Sequence, residues 1–174
     1  MNFECLQKDE LDFWEHQTRC GDEVDLKLAR DLPDDTPDFI LDTISDFEKN
    51  AAEFCFSGAR GRVLDAGCGN GNLLLRTLEK DLNDGLDTQY IGLDFSCNML
   101  GRAKKRASGH HGISFLQGSV TSLPFSDESF DWVASSGVLT CLPTQEAAAQ
   151  ALLEFNRVLK PGGVLVVDFF NRRS

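Results

Sequence analysis

The sequence predicts an α/β fold: a doubly wound, mostly parallel sheet of about five strands, flanked by helices and preceded by an acidic helical extension. Three observations predict it. From residue 59 onward, short apolar runs alternate with stretches of helical periodicity, the pattern of βαβ units. A glycine cluster, Gly67–Gly71, stands where the first apolar run gives way to the first of those helices. The charge is split: residues 1–58 hold 5 Lys+Arg and 16 Asp+Glu, a net of −11, whereas residues 59–174 hold 12 of each. The expected organisation is an acidic helical extension or cap over 1–58 and a ligand-binding domain over 59–174.

Taken in order, the chain begins polar and acidic, with a short helix around Leu6–Thr18 and a loop through Asp31–Asp35. Thr36-Pro37 reads as a helix start, a Thr cap followed by Pro at the first helical position. Phe39, Ile40, Ile44, Phe47, Ala51, Phe54 and Cys55 then recur at helical spacing up to Gly58, which predicts a buried apolar face beneath a solvated acidic one. Arg62–Ala66 is a buried strand ending in the glycine cluster, and Leu73–Leu82 a helix. Gln89–Asp94 is the second strand; Ser96 caps a helix to about Ala107. Ile113–Gln117 is the third strand, Ser119–Ser129 a loop and Phe130–Ser135 the fourth strand. Pro143–Leu159 is a helix, Lys160–Gly163 a turn and Val164–Phe169 the fifth strand.

Composition bounds the function. At 174 residues, 41% hydrophobic and 26% charged, the chain has the make-up of one globular domain. No apolar run approaches a membrane span, and the first residues lack the basic and apolar regions of a secretory signal. A net charge of −11 argues against non-specific binding to nucleic acid or an anionic membrane. The six cysteines (Cys5, Cys20, Cys55, Cys68, Cys97, Cys141) are irregularly spaced and include no C-x-x-C. That points to reduced thiols in the cytoplasm, with the nucleus as the alternative, and to no metal site.

The chemistry concentrates in Val63–Gly71. Gly67, Gly69 and Gly71 form G-x-G-x-G, and Asn72 stands where the dinucleotide fingerprint has its third glycine. Asp65, just before the first glycine, would repel a pyrophosphate but accept hydrogen bonds from an ammonium or a bound water. The loop therefore favours a cationic, phosphate-free ligand over a nicotinamide dinucleotide. Asp94 closes the second strand 27 residues after Gly67, where an acid takes both hydroxyls of a ribose. Gly118-Ser119-Val120, after the third strand, offers backbone groups to an adenine edge.

These residues resemble the class I S-adenosylmethionine-dependent methyltransferases, a Rossmann-like family, and in particular its broad type 11 group. The match runs through Val63–Gly71, Gly92–Ser96, Gln117–Val120, Leu123–Asp131, Ser135–Leu139 and Glu154–Leu165, within about residues 59–170. The resemblance implies S-adenosyl-L-methionine as cofactor. It implies that Asp65, Ala66, Gly67, Cys68, Gly69 and Gly71 surround the methionine part, with Asp65 on its amino group. Asp94 would take the ribose, with Phe95 and Met99 near the adenine; Gly118, Ser119 and Val120 would contact the adenine, and Ser135 and Ser136 would lie near the sulfonium. Methyl transfer needs alignment more than an acid–base pair, so no catalytic residue is nominated. The methyl acceptor is unidentified: a small molecule, a tRNA or a protein. The family sheet continues past the fifth strand, which here would be left as an apolar edge open to a protein partner. The alternative to an enzyme is a non-catalytic cofactor-binding subunit or an inactive short form.

Overall fold

The computed structural model describes residues 36–84 and 88–168, the side chains of 79–84 aside. The helix expected around Leu6–Thr18 lies outside the described residues. The first described element is helix α1 (Asp38–Phe56), followed by β1 (Gly61–Ala66), α2 (Asn72–Asp84), β2 (Thr88–Asp94) and α3 (Cys97–Arg106). Then come β3 (Ile113–Gln117), β4 (Phe130–Ser135), α4 (Gln145–Val158) and β5 (Leu159–Val167). All four strand pairings are parallel, in the order β3-β2-β1-β4-β5. The doubly wound fold read from the sequence is the fold observed. Its order reverses between β1 and β4, the switch point outside which open α/β sheets bind ligands.

Alternation along the strands builds two cores. Leu64 of β1, Leu93 of β2 and Val133 of β4 face one way and pack with Ala151, Phe155 and Val158 of α4. Val63, Tyr90 and Ala134 face the other way and meet Cys55 and Phe56 of α1, Leu74 and Leu78 of α2 and Leu100 of α3. This period of two places apolar side chains on both faces of each central strand, as a sheet covered on both sides requires. The end of α1 is part of that core. Phe56 packs edge-on against Tyr90, and the Trp132 indole N–H donates to the Cys55 carbonyl at 2.7 Å.

Three expectations need correction. The first helix begins at Asp38, with Pro37 in extended backbone as its N-cap, one residue later than the Thr-Pro pair suggests. Its apolar stripe is only partly its buried face: Phe39, Phe47 and Phe54 are 66%, 50% and 73% exposed, Ile40, Ile44 and Ala51 are half-buried, and Cys55 is buried together with Glu48, Ala52 and Phe56. The inward face is set by contact with α2, and Glu48 is drawn in because Asn72 and Arg76 of α2 receive its carboxylate. Finally, Lys160–Gly163 is not a turn before the last strand but a bulge within it. Leu159 pairs with Phe130, Val164 pairs with Trp132, and Gly162 at φ +81° lets the extra residues loop out between them.

Candidate functional site

The carboxyl ends of the strands enclose a cavity of about 660 Å³. β1 brings Asp65, Gly67, Cys68 and Gly69 to it; β2 brings Asp94, Phe95 and, from α3, Met99. The β3 end supplies Gly118, Ser119 and Val120, and the β4 end Ser136. Of the residues singled out from the sequence, Ala66, Gly71 and Ser135 stand behind this lining. The Ser135 hydroxyl donates to the Ala66 carbonyl at 2.8 Å and so ties β4 to β1 beneath the cavity floor.

The glycine loop is held by β2. The Gly67 and Cys68 amides both donate to the Leu93 carbonyl, at 2.7 and 2.9 Å. The Gly69 amide donates to Asp94 Oδ2 at 2.8 Å, and the Gly71 amide to the Cys68 carbonyl. These four amides are engaged inside the protein and make no cradle for a phosphate. Gly67 is a requirement of this path: its φ is +87°, and a Cβ would stand 2.2 Å from Val138 Cγ2.

Asp94 is buried and carries structure as well as charge. Besides Gly69, it accepts the Ser96 amide on Oδ1 at 2.9 Å, while Ser96 Oγ caps α3 by accepting the Met99 amide. A carboxylate offers about four acceptor positions, so these bonds orient the group while remaining compatible with hydroxyl donors. Asp65 differs. It is 2% exposed, and its Oδ2 has no hydrogen-bond partner among the described residues. Burial, reinforced by the neighbouring charge of Asp94, raises its pKa from 3.8 to about 7. The adjacent Cys68 thiol is pushed up by burial and by both carboxylates, and Cys55 is raised to about 12 by burial first, with Asp65 and Asp168 adding. Neither thiol is an activated nucleophile.

Three contributors were not nominated as site residues, although the sequence marks Asn72 as the replacement of a glycine and leaves Asp168, late in the fifth strand, equally open to facing the cleft or ending the strand. Glu48 reaches the cavity wall from α1, where its Oε2 accepts from Asn72 Nδ2 at 2.6 Å and lies 3.6 Å from Arg76. Asn72 also accepts from Arg106, which donates to the Asn70 carbonyl as well, so α1, α2 and α3 clamp the loop through one amide. A single acid in an acidic helix carries no mark of this in the sequence. Asn72 did, as the residue replacing a glycine. Asp168, just past β5, faces the cavity and accepts from Ser136 Oγ at 2.6 Å and from the Gly137 amide at 2.7 Å. Among the described residues, no lysine, arginine or histidine lines the cavity, and no cluster of three or more His, Cys, Asp or Glu is arranged to hold a metal.

The profile of the methyltransferase-domain family matches residues 57–173. The chain belongs to that family. This methyltransferase domain is 38% identical over 105 residues to the demethylmenaquinone methyltransferase of Staphylococcus saprophyticus, an overlap of 60% of this chain and 42% of that protein. It therefore spans about two-fifths of the length of the curated relative it matches. A solved S-adenosylmethionine-dependent methyltransferase from Methanosarcina mazei is 27% identical, with a TM-score of 0.55 over 63% of this chain and 52% of that one. The phosphoethanolamine N-methyltransferase 1 of Haemonchus contortus, solved with phosphoethanolamine and S-adenosylhomocysteine, shares the fold. Its TM-score is 0.72 over 96% of this chain and 33% of that one, at 20% identity. The methyltransferase domain is thus of class I, whose cofactor is S-adenosylmethionine. The site fits that group: a buried carboxylate lacks a partner where an ammonium would sit, and the loop amides are turned away from any pyrophosphate. No helix of the described residues is long and apolar enough to cross a membrane.

Proposed function

We propose that this chain binds S-adenosylmethionine at the carboxyl edge of its sheet and transfers the methyl group to an acceptor. The observation that carries the reading is Asp65, a carboxylate buried beside the glycine loop with one oxygen unsatisfied. When bound, the cofactor supplies a methyl group activated on a sulfonium. The rest is the work of the chain. Asp65 receives the ammonium group, and that positive charge stabilises its ionised form. Asp94, already fixed by the Gly69 and Ser96 amides, receives the ribose hydroxyls. Phe95 and Met99 would hold the adenine, with Gly118, Ser119 and Val120 at its edge; all five line the cavity. Ser136 would stand at the reacting end of the cavity, steadied by Asp168, while Ser135 ties β4 to β1 through the Ala66 carbonyl. Gly67, Cys68 and Gly69 let the methionine part approach the backbone. Val138, Leu142 and Met99 line the same space with apolar surface. Transfer by in-line displacement then depends on alignment, and no acid–base residue is assigned.

The reading includes two further points. The four cysteines among the described residues are in no disulfide, and Cys55 and Cys68 are buried, which suits a reducing, cytoplasmic setting. The β5 edge, with Val164 and Leu165 exposed, is the surface where a protein partner would dock. Calorimetric titration of the 174-residue chain with S-adenosylhomocysteine, with NADH as control, tests the core of the reading. Micromolar binding of the former alone is expected, and Asp65→Asn should weaken it measurably at neutral pH. Equal affinity for NADH, or no binding of either ligand by the folded chain, would overturn it.

A further inference from the structure

A second space adjoins the cofactor cavity. It is a groove of about 350 Å³ between α1 and β5, and it shares Phe47, Ala51, Ser136 and Asp168 with that cavity. Beyond these it is walled by Phe54 and Asn50 of α1 and by Val166 and Val167 of β5. Among the described residues the wall is apolar except where Ser136, Asp168 and Asn50 interrupt it. Phe47 and Phe54 are half or more exposed because the core face of α1 lies elsewhere on the helix. Exposed phenyl groups of this kind mark a binding surface when they border a cavity.

Resting on the reading of the site given above, we propose that this groove is the acceptor arm of the methyltransferase. The acceptor is an uncharged molecule whose apolar body lies between α1 and β5. Its hydroxyl or amino head points to Asp168 and Ser136, where groove and cavity join. Three facts support this. The groove opens into the cofactor cavity at the two polar residues that neither Asp65 nor Asp94 accounts for. Asp168 adds negative charge there, and no lysine, arginine or histidine is among the described residues lining either space, so a phosphate or carboxylate would be desolvated without a counter-charge. The apolar wall in turn disfavours a charged amine along the arm and favours hydrocarbon or aromatic surface.

The test is calorimetry on the whole chain with para-alkylphenols from methyl to hexyl and the matching para-alkylphenyl phosphates, with and without S-adenosylhomocysteine. Phenol affinity should rise roughly two- to fourfold per added methylene, as burial of hydrocarbon predicts. The phosphates should bind at least about tenfold more weakly, with no cation to receive them. Phe54→Glu and Asn50→Trp should flatten the chain-length dependence and leave S-adenosylhomocysteine affinity unchanged, since neither residue lines the cofactor cavity. Phenol affinity independent of chain length, or phosphates binding as well as phenols, would overturn the proposal. So would a doubled mass in light scattering that Phe54→Glu abolishes, for the groove would then hold a second copy of the chain. If S-adenosylhomocysteine fails to bind while the chain-length dependence persists, the cofactor reading fails and the apolar groove stands.

Discussion

At the scale of single residues, the two acids of the site behave in opposite ways, and each difference can be measured. Asp65 is protonated more readily when folded, with a pKa of about 7 against 3.8. Between those values the folded chain holds the extra proton, so this group lowers stability as pH rises from about 4 to about 7 and adds no further slope above. Asp65→Asn should remove that decline, seen as a flatter pH profile of the urea midpoint. The same proton competes with an ammonium ligand. Affinity for S-adenosylhomocysteine should therefore fall by about tenfold per pH unit below about 7, and the slope should vanish in Asp65→Asn. Asp94 anchors the Gly69 and Ser96 amides, so Asp94→Ala should reduce stability by about 1–3 kcal/mol as well as binding. A variant of full stability that binds normally would remove both roles. Gly67 is constrained twice, by its positive φ and by Val138. Gly67→Ala should lose roughly 2–4 kcal/mol in urea denaturation, and adding Val138→Ala should recover only the steric part.

At the scale of elements, the sequence announced the strands because each is a short apolar run bounded by glycine, proline or acid, and the sheet order followed from the βαβ alternation. The carboxyl-edge acids were legible for the same reason, since strand ends fix where they point. The orientation of α1 was not. Its apolar arc is wider than the face it buries, and the buried face is displaced roughly a quarter-turn toward Glu48, whose partners lie on another helix. The bulge at Lys160–Gly163 was hidden too, because Pro-Gly-Gly marks a turn whether or not pairing resumes on the same strand. Another long-range device is Arg157 of α4. It donates to Glu154 and Asp127 and to the carbonyls of Leu123 and Phe125, while Glu154 accepts the Leu123 amide. The segment after Val120 is thereby fixed to α4, and Glu154 is held below the ordinary carboxylate range, first by its bond to Arg157. Stability from this depressed carboxylate is present above its usual 4.5 and is lost as pH falls below it. Arg157→Ala should destabilise the fold by about 2–3 kcal/mol near neutral pH and less in acid, as urea titrations at both pH values would show. A loss independent of pH would assign Arg157 a packing role instead.

At the scale of the whole molecule, the described sheet presents an apolar edge at β5 and the charge resists its use. Among the described residues β5 pairs on one side, with β4, and exposes Val164 and Leu165. An edge of this kind offers unpaired backbone groups beside hydrocarbon and invites a further strand. The chain also carries a net charge of −11, so two copies repel one another at low ionic strength. The balance between these forces sets a definite expectation. Sedimentation velocity should show association that strengthens as salt is added, because screening shortens the repulsion to about 8 Å at physiological ionic strength while leaving hydrophobic contact intact. Leu165→Lys places a charge on the edge itself and should abolish that association, with a thermal midpoint shifted by no more than about 2 °C because the site is solvent-facing. Phe54→Glu, in the groove behind the edge, should leave it unchanged. Association that weakens with salt would instead mean that pairing is electrostatic and uses another face. Survival of the association in Leu165→Lys would mean that β5 is not where the chain meets its neighbour.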